Sequence, residues 1–279
     1  MASFFNQASL SYGDTITNSN ITTADLLGGL TASKIAFNTS YTQSDTLVYG
    51  ISITNTGASA VNSVTVSDNL GAFADGAVTV VPLDYVDGSL VLFINGVEVE
   101  PPTVTNANPL TVSGIAIPAG GNALLVYRAR VNGSAPLSDG SVITNVALVS
   151  GSGEPVSVSA EVPVRDEVRL TIAKAVSPAE VSEGGLISYT FIIQNTGNTA
   201  VVAADDVVIT DTFDPILGDI AVTLDGEEFA DYTYNTENGL FTTNAGAITV
   251  PAASFTTAPD GAVITTPGVT VLVVTGTVG

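Results

Sequence analysis

The sequence predicts an all-β chain of two tandem domains behind an N-terminal hairpin, and three observations carry that prediction. The 279 residues are 45% apolar and only 12% charged, with Val, Thr, Ile, Ser, Gly and Ala in excess, a composition that buries a core and favours strands over helices. No stretch holds an apolar period of 3.6 residues; short alternating runs are instead punctuated by Gly, Pro, Asn and Asp. Finally, one unit of about 140 residues occurs twice: LTASKIAFN (30–38) matches LTIAKAVSP (170–178), LVYGISITNTG (47–57) matches ISYTFIIQNTG (187–197), and VTVSDNL (64–70) matches VVITDTF (207–213).

The elements follow in chain order. Residues 1–27 read as a hairpin, FFNQASLSYG (4–13) turning into DTITNSNITTA. Residues 28–163 form the first domain, closed by a second hairpin in which VITNVALVSG (142–151) turns around residues 150–154 into GEPVSVSAEVPV. Aligning Asn6 on Asn145 gives a shared Asn-x-Ala at an offset of 139, in step with offsets of 140 at Lys34/Lys174 and Asn55/Asn195 and of 143 at Asp68/Asp211. The N-terminal hairpin is therefore a copy of the hairpin that closes the first domain. Residues 164–279 form the second domain, and no such copy follows PGVTVLVVTGTVG (267–279), so this domain is expected to lack its last strand.

A free strand and an empty slot of one type imply head-to-tail assembly. The missing strand exposes core and unpaired backbone groups, which a neighbour's strand satisfies together. Donor and acceptor are different surfaces, so the contact propagates as an open filament unless the rotation closes a ring; a chain that folds its own N-terminal strand into its second domain is the alternative. Phe4, Phe5, Asn6, Ala8 and Leu10 are the expected donor strand, and the expected partners are identical subunits, with anchor or tip proteins left unnamed.

Charge and composition exclude several classes. A net charge of −21 with six basic residues leaves nothing to neutralise phosphates, which argues against nucleic acid and anionic membrane. Without Cys there is no disulfide or thiolate chemistry, and without His the commonest general base and a common metal ligand are missing. G-x-S-x-G and phosphate-loop motifs do not occur, so no enzyme is expected beyond self-modification. The acidic loops at Asp205–Asp206, Asp225–Glu228 and Asp84/Asp87 lack the spacing of a calcium loop and read as solvated. MASFFNQASL carries neither a basic n-region nor a long apolar run, so no secretory signal is visible, and no membrane span is expected.

The two lysines of the chain, Lys34 and Lys174, occupy equivalent repeat positions. Alternate strand residues share a face, so Leu30, Ala32 and Lys34 point one way, as do Leu170, Ile172 and Lys174. Val64, Val66 and Asp68 share a face too, as do Val207, Ile209 and Asp211; Asn145 joins Ile143 and Ala147, and Asn6 joins Phe4 and Ala8. Lys, Asp and Asn thus stand where core residues belong, and buried charges must pair, neutralise or react.

The K…NTG…V-x-D pattern resembles the bacterial surface-repeat family called domain of unknown function eleven, across nearly the whole chain. That resemblance implies immunoglobulin-like β-sandwiches and Lys/Asp/Asn triads of the kind that form spontaneous isopeptide bonds in Gram-positive pilins and adhesins. It implies an amide bond between Lys34 and Asn145 within the first domain, promoted by Asp68. It implies a second between Lys174 and Asn6 of the next subunit, promoted by Asp211, with no cofactor. A plain buried Lys–Asp ion pair with Asn as hydrogen-bond partner is the alternative. Similar repeats occur in clostridial spore appendages, so an extracellular, spore or cell-surface filament subunit is expected; an adhesin or ligand-binding module, and a surface-layer or cell-wall protein, are the other readings.

Overall fold

The computed structural model describes residues 2–26, 29–76, 78–151 and 153–279. The expected limit between the N-terminal hairpin and the first domain, at residues 27 and 28, lies outside the described residues, as does Ser152 in the turn of the second hairpin. The fold is all-β: among the described residues the one helical element is a single 3-10 turn at Ala203–Asp205.

The N-terminal segment is a two-stranded ribbon. β1 (Ala2–Asn6) pairs antiparallel with β4 (Thr22–Leu26), and β2 (Ser9–Tyr12) with β3 (Thr15–Asn18), around a tight turn in which Gly13 takes φ +55°. Residues 5–23 are exposed throughout, including Phe5, Leu10, Tyr12, Ile16 and Ile21. The ribbon's alternation of apolar and polar residues is that of a strand made to be buried on one face, yet both faces are exposed over residues 5–23.

The chain divides into two compact units, residues 1–136, 140–164 and 259–262 against residues 137–139, 165–258 and 263–279. The first unit is a sandwich of two sheets. Its strands are β5 (Leu30–Ala36), β6 (Thr46–Asn55), β7 (Val61–Asp68), the short β8 (Phe73–Asp75), β9 (Val78–Val80) and β10 (Leu83–Tyr85), then β11 (Val91–Ile94), β12 (Val97–Val99), β13 (Val104–Ala107), β14 (Leu110–Ile117), β15 (Asn122–Val131), β16 (Val142–Ser150) and β17 (Val156–Pro163). One sheet runs in the order β12-β11-β15-β6-β5, the other β13-β14-β7-β16-β17. Alternate residues of both face one core that includes Ile51, Ile53, Val64, Leu125, Ala147 and Val149.

The second unit repeats most of this plan with β18 (Leu170–Ser177), β19 (Leu186–Asn195), β20 (Thr210–Thr212), β21 (Leu217–Leu224), β22 (Glu227–Glu228), β23 (Tyr232–Tyr234), β24 (Leu240–Thr243), the small pair β25 (Ser254–Thr257) and β26 (Val263–Thr266), and β27 (Gly268–Val278). Its larger sheet, β22-β21-β27-β19-β18, copies the order of its counterpart except for β10, which pairs with β15 in the first unit. Its other sheet is only β23-β24-β20, matching β13-β14-β7 and ending there. The sequence asks for one missing strand, whereas the sheets differ by two: β17 hydrogen-bonds to its sheet through β16 alone, so the two come or go together.

The shared NTG segment is a structural pin in both units. Asn55 Nδ2 donates to the carbonyls of Ser59, Ile117 and Pro118, while its Oδ1 accepts from the Gly57 N–H. Asn195 does the same with Thr199, Pro251 and Gly197. Gly197 must be glycine because a Cβ there would sit 2.0 Å from the Glu167 carbonyl oxygen. Gly197→Ala is therefore expected to destabilise the second unit by about 2–3 kcal/mol through forced backbone displacement, read as a lower midpoint in denaturant unfolding with the first unit unchanged.

Candidate functional site

The first unit brings the expected Lys34, Asp68 and Asn145 into one buried cluster and adds Tyr127. Lys34 comes from β5 and reaches across the sandwich to Asp68, the last residue of β7; both side chains are fully inaccessible. Asp68 Oδ2 accepts a hydrogen bond from Lys34 Nζ at 2.6 Å and one from Tyr127 Oη at 2.5 Å, while Oδ1 accepts from the Leu70 N–H at 3.0 Å. Asn145, on β16, donates from Nδ2 to Tyr127 Oη at 3.0 Å and accepts at Oδ1 from the Gly71 N–H at 3.2 Å. Lys34 and Asn145 are thus joined through two groups in series, Asp68 and then Tyr127.

Local chain geometry fixes this arrangement. The turn after β7 is tied to β16 by Asn69, whose Oδ1 accepts from the N–H groups of both Gly71 and Val146. Gly71 has φ +75°, and a Cβ there would come within 2.7 Å of Ile143. A glycine is needed for its N–H to face the Asn145 carboxamide.

Burial tunes the groups. Desolvation lowers the Lys34 pKa from 10.5 to about 8, against the opposing pull of Asp68. Roughly a tenth of the amine is then neutral at pH 7. Burial first, and the Asp68 charge second, push the Tyr127 hydroxyl well above its usual value, so it stays a proton donor. Tyr127 also stacks on Tyr49, centroids 5.6 Å apart, and Tyr49 lies under Lys34 Nζ at 5.0 Å.

The second unit holds the same pair without the rest. Lys174 Nζ donates to Asp211 Oδ2, within 4.6 Å of the Tyr189 ring centroid and 5.4 Å of those of Phe191 and Phe213. The Lys174 side chain is nevertheless 40% exposed. Strand parity directs Lys174 inward, as the sequence indicates, but among the described residues no strand stands opposite to bury it. β27 places Val274 opposite Tyr189, where β15 places Tyr127 opposite Tyr49, so no phenol bridges here. Among the described residues no asparagine is hydrogen-bonded to Lys174 or Asp211. Asn6 stands on the exposed ribbon, paired with Thr22. Phe5, Asn6, Ala8 and Leu10 are all exposed; the Phe4 side chain lies outside the described residues.

The edge left bare in the second unit is apolar. Ile172 is 58% and Leu170 37% exposed, whereas Leu30, the counterpart of Leu170, is 6% exposed under β16 and β17. An open cavity of about 180 Å³ lies there between Leu170, Ile172, Ile193, Val207 and Ile209.

Sequence reasoning missed Tyr127 as a member of the site. The signal that finds it is register: it lies directly across from Tyr49, whose repeat counterpart Tyr189 touches Lys174. Among the described residues no cluster of acidic side chains is arranged to hold a metal, and no helix is long and apolar enough to cross a membrane.

No family model matches the chain, and no curated protein is similar to it. Among solved structures, the pilus backbone protein RrgB of Streptococcus pneumoniae aligns at 11% identity and TM-score 0.36 over 86% of this chain, which spans 55% of the RrgB structure. The major pilin BcpA of Bacillus cereus aligns at 15% identity and TM-score 0.34, over 87% of this chain and 66% of BcpA. The bacterial hydrophobin BslA aligns at 13% identity and TM-score 0.30, over 50% and 97% respectively. Similarities of this size establish nothing about what the present chain does.

Proposed function

We propose that the chain is the structural subunit of a filament on a cell or spore surface or outside the cell, assembled head-to-tail by strand donation and locked by Lys–Asn amide bonds. The observation that carries this reading is the contrast between the two units. Lys34–Asp68 is enclosed with Asn145 by β16 and β17, while Lys174–Asp211 faces an apolar strand edge to which no strand is paired among the described residues. The ribbon that copies β16–β17 is exposed and carries Asn6 at the position of Asn145.

The chemistry at the first site follows from its contacts. The neutral Lys34 amine attacks Asn145 Cγ, whose carbonyl oxygen is polarised by the Gly71 N–H. The Nζ–Cγ bond forms and the Cγ–Nδ2 bond breaks. Asp68 takes one proton from Nζ, and Tyr127 passes one to Nδ2 while regaining its own from Asp68, so that ammonia leaves. Folding supplies the proximity. At the second site Asn6 of the next subunit plays the part of Asn145, and Asp211, with no phenol beside it, both takes the proton from Lys174 Nζ and passes it to Asn6 Nδ2.

Intact mass and electron microscopy test this together. The purified chain is expected to form fibres that run as boiling-resistant ladders in a denaturing gel, each bond lowering the mass by one ammonia. Removing residues 1–20 is expected to leave monomers with a single ammonia lost. Fibres that persist after truncation, or a polymer of unmodified mass that boiling disperses, refute the reading.

A further inference from the structure

We infer that the element passed between subunits is the whole N-terminal hairpin, two strands wide, seated in one register against the edge formed by residues 206–212 of the second unit. This rests on the strand-donation reading above and specifies its partner surface.

The width follows from sheet order. In the first unit, β7 is flanked by β14 on one side and by β16, then β17, on the other. In the second, β20 has β24 on one side and no strand on the other among the described residues. The gap is thus a hairpin, not a strand. β17 also lies against β5 and continues into a parallel bridge between Val164 and Tyr41. β18, the counterpart of β5, is exposed along its full length. A single donated strand pairs with β20 but leaves β18 wet; the second arm of the ribbon, β3 and β4, is what covers it.

The register follows from β7 and β16, which pair Ala147 with Asp68, Leu148 with Ser67, Val149 with Val66 and Ser150 with Thr65. Transferring each residue by its repeat offset places Ala8 opposite Asp211, Ser9 opposite Thr210, Leu10 opposite Ile209 and Ser11 opposite Val208. Leu10 then covers the apolar cavity at Ile209, and Asn6 stands diagonal to Asp211, as Asn145 does to Asp68. Ser9 and Thr210 fall on the outer face, matching exposed Leu148 and its neighbour Ser67. A slip by one residue turns Asn6 and Leu10 to solvent and Phe5 to the core. Ala2 pairs with Leu26 in the ribbon as Ser141 is hydrogen-bonded to Val164 in the first unit, so the bridge between Val164 and Tyr41 becomes one between Leu26 and Val181.

The chain has no cysteine, so engineered pairs report contacts cleanly. Full-length single variants are mixed in pairs, allowed to assemble, oxidised, digested with pepsin and read by mass spectrometry for linked peptides, which must come from different molecules. Ser9→Cys mixed with Thr210→Cys is expected to give a disulfide, and so is Leu26→Cys mixed with Val181→Cys. Ser11→Cys mixed with Thr212→Cys, four residues out of register, is expected to stay reduced. If the first pair links and the second does not, one strand is exchanged and the two-strand proposal fails. If fibres form but positions 9 and 210 do not link, the register is wrong. If the unmodified chain stays monomeric, the strand-donation reading itself has failed.

Discussion

Asp68→Ala is expected to abolish the internal Lys34–Asn145 bond and to lower the stability of the first unit by at least about 3–5 kcal/mol, because the unbonded variant keeps Lys34 as a buried ammonium without its partner. Asp68 makes both the Lys34 contact and the Tyr127 contact, so one truncation strands an ammonium in a fully inaccessible site and disconnects the proton path to Asn145. The loss is expected to depend on pH. As long as the bond has not formed, the folded-state pKa of Lys34, about 8, lies below its ordinary 10.5. Between those values the unfolded chain binds more protons, so stability rises with pH across the window. Removing Asp68, which holds the Lys34 value up, extends the window downwards, so the variant is weakest near neutrality and recovers part of the loss in alkali. Intact mass and thermal unfolding at pH 7 and pH 10 check this; a variant that has lost ammonia and melts like the parent would disprove the role given to Asp68.

The first site was legible in sequence because β5, β7 and β16 are all flanked and faced by other strands, so strand parity translates directly into burial of Lys34, Asp68 and Asn145. The same parity over-read the second site. Parity states which way Lys174 points, not what stands opposite, and among the described residues the unit has no counterparts of β16 and β17 to stand there. Tyr127 was hidden for another reason. Its strand, β15, has diverged from β27, so the repeat gives no match to flag it, and Val274 in its place shows that the two sites are not chemical copies. The NTG asparagines, by contrast, repeat faithfully yet only tie turns together. Repetition alone does not separate a reactive residue from a pin; the strand that carries it, and what faces that strand, does.

Leu10→Asp should separate folding from assembly, and its expected effect on the fibre is the largest of any single substitution. Leu10 is 70% exposed in the chain, so the monomer is expected to fold and to form its internal Lys34–Asn145 bond as before. Its counterpart Val149 is fully buried beside Val66, so in the fibre position 10 meets Ile209 and the cavity beneath it. Losing the leucine forfeits about 2 kcal/mol of burial, and an unpaired carboxylate there adds several kcal/mol more. Together these weaken association by at least about a thousandfold. Lys174→Gln is the informative contrast: the strand edge and Leu10 remain, so fibres are expected to form, but with no amine to reach Asn6 they disperse on boiling. Electron microscopy with a boiled denaturing gel distinguishes the two. Leu10→Asp fibres as abundant as the parent's would mean that the apolar edge of the second unit is not where subunits join, whereas Lys174→Gln fibres that survive boiling would place the covalent link elsewhere.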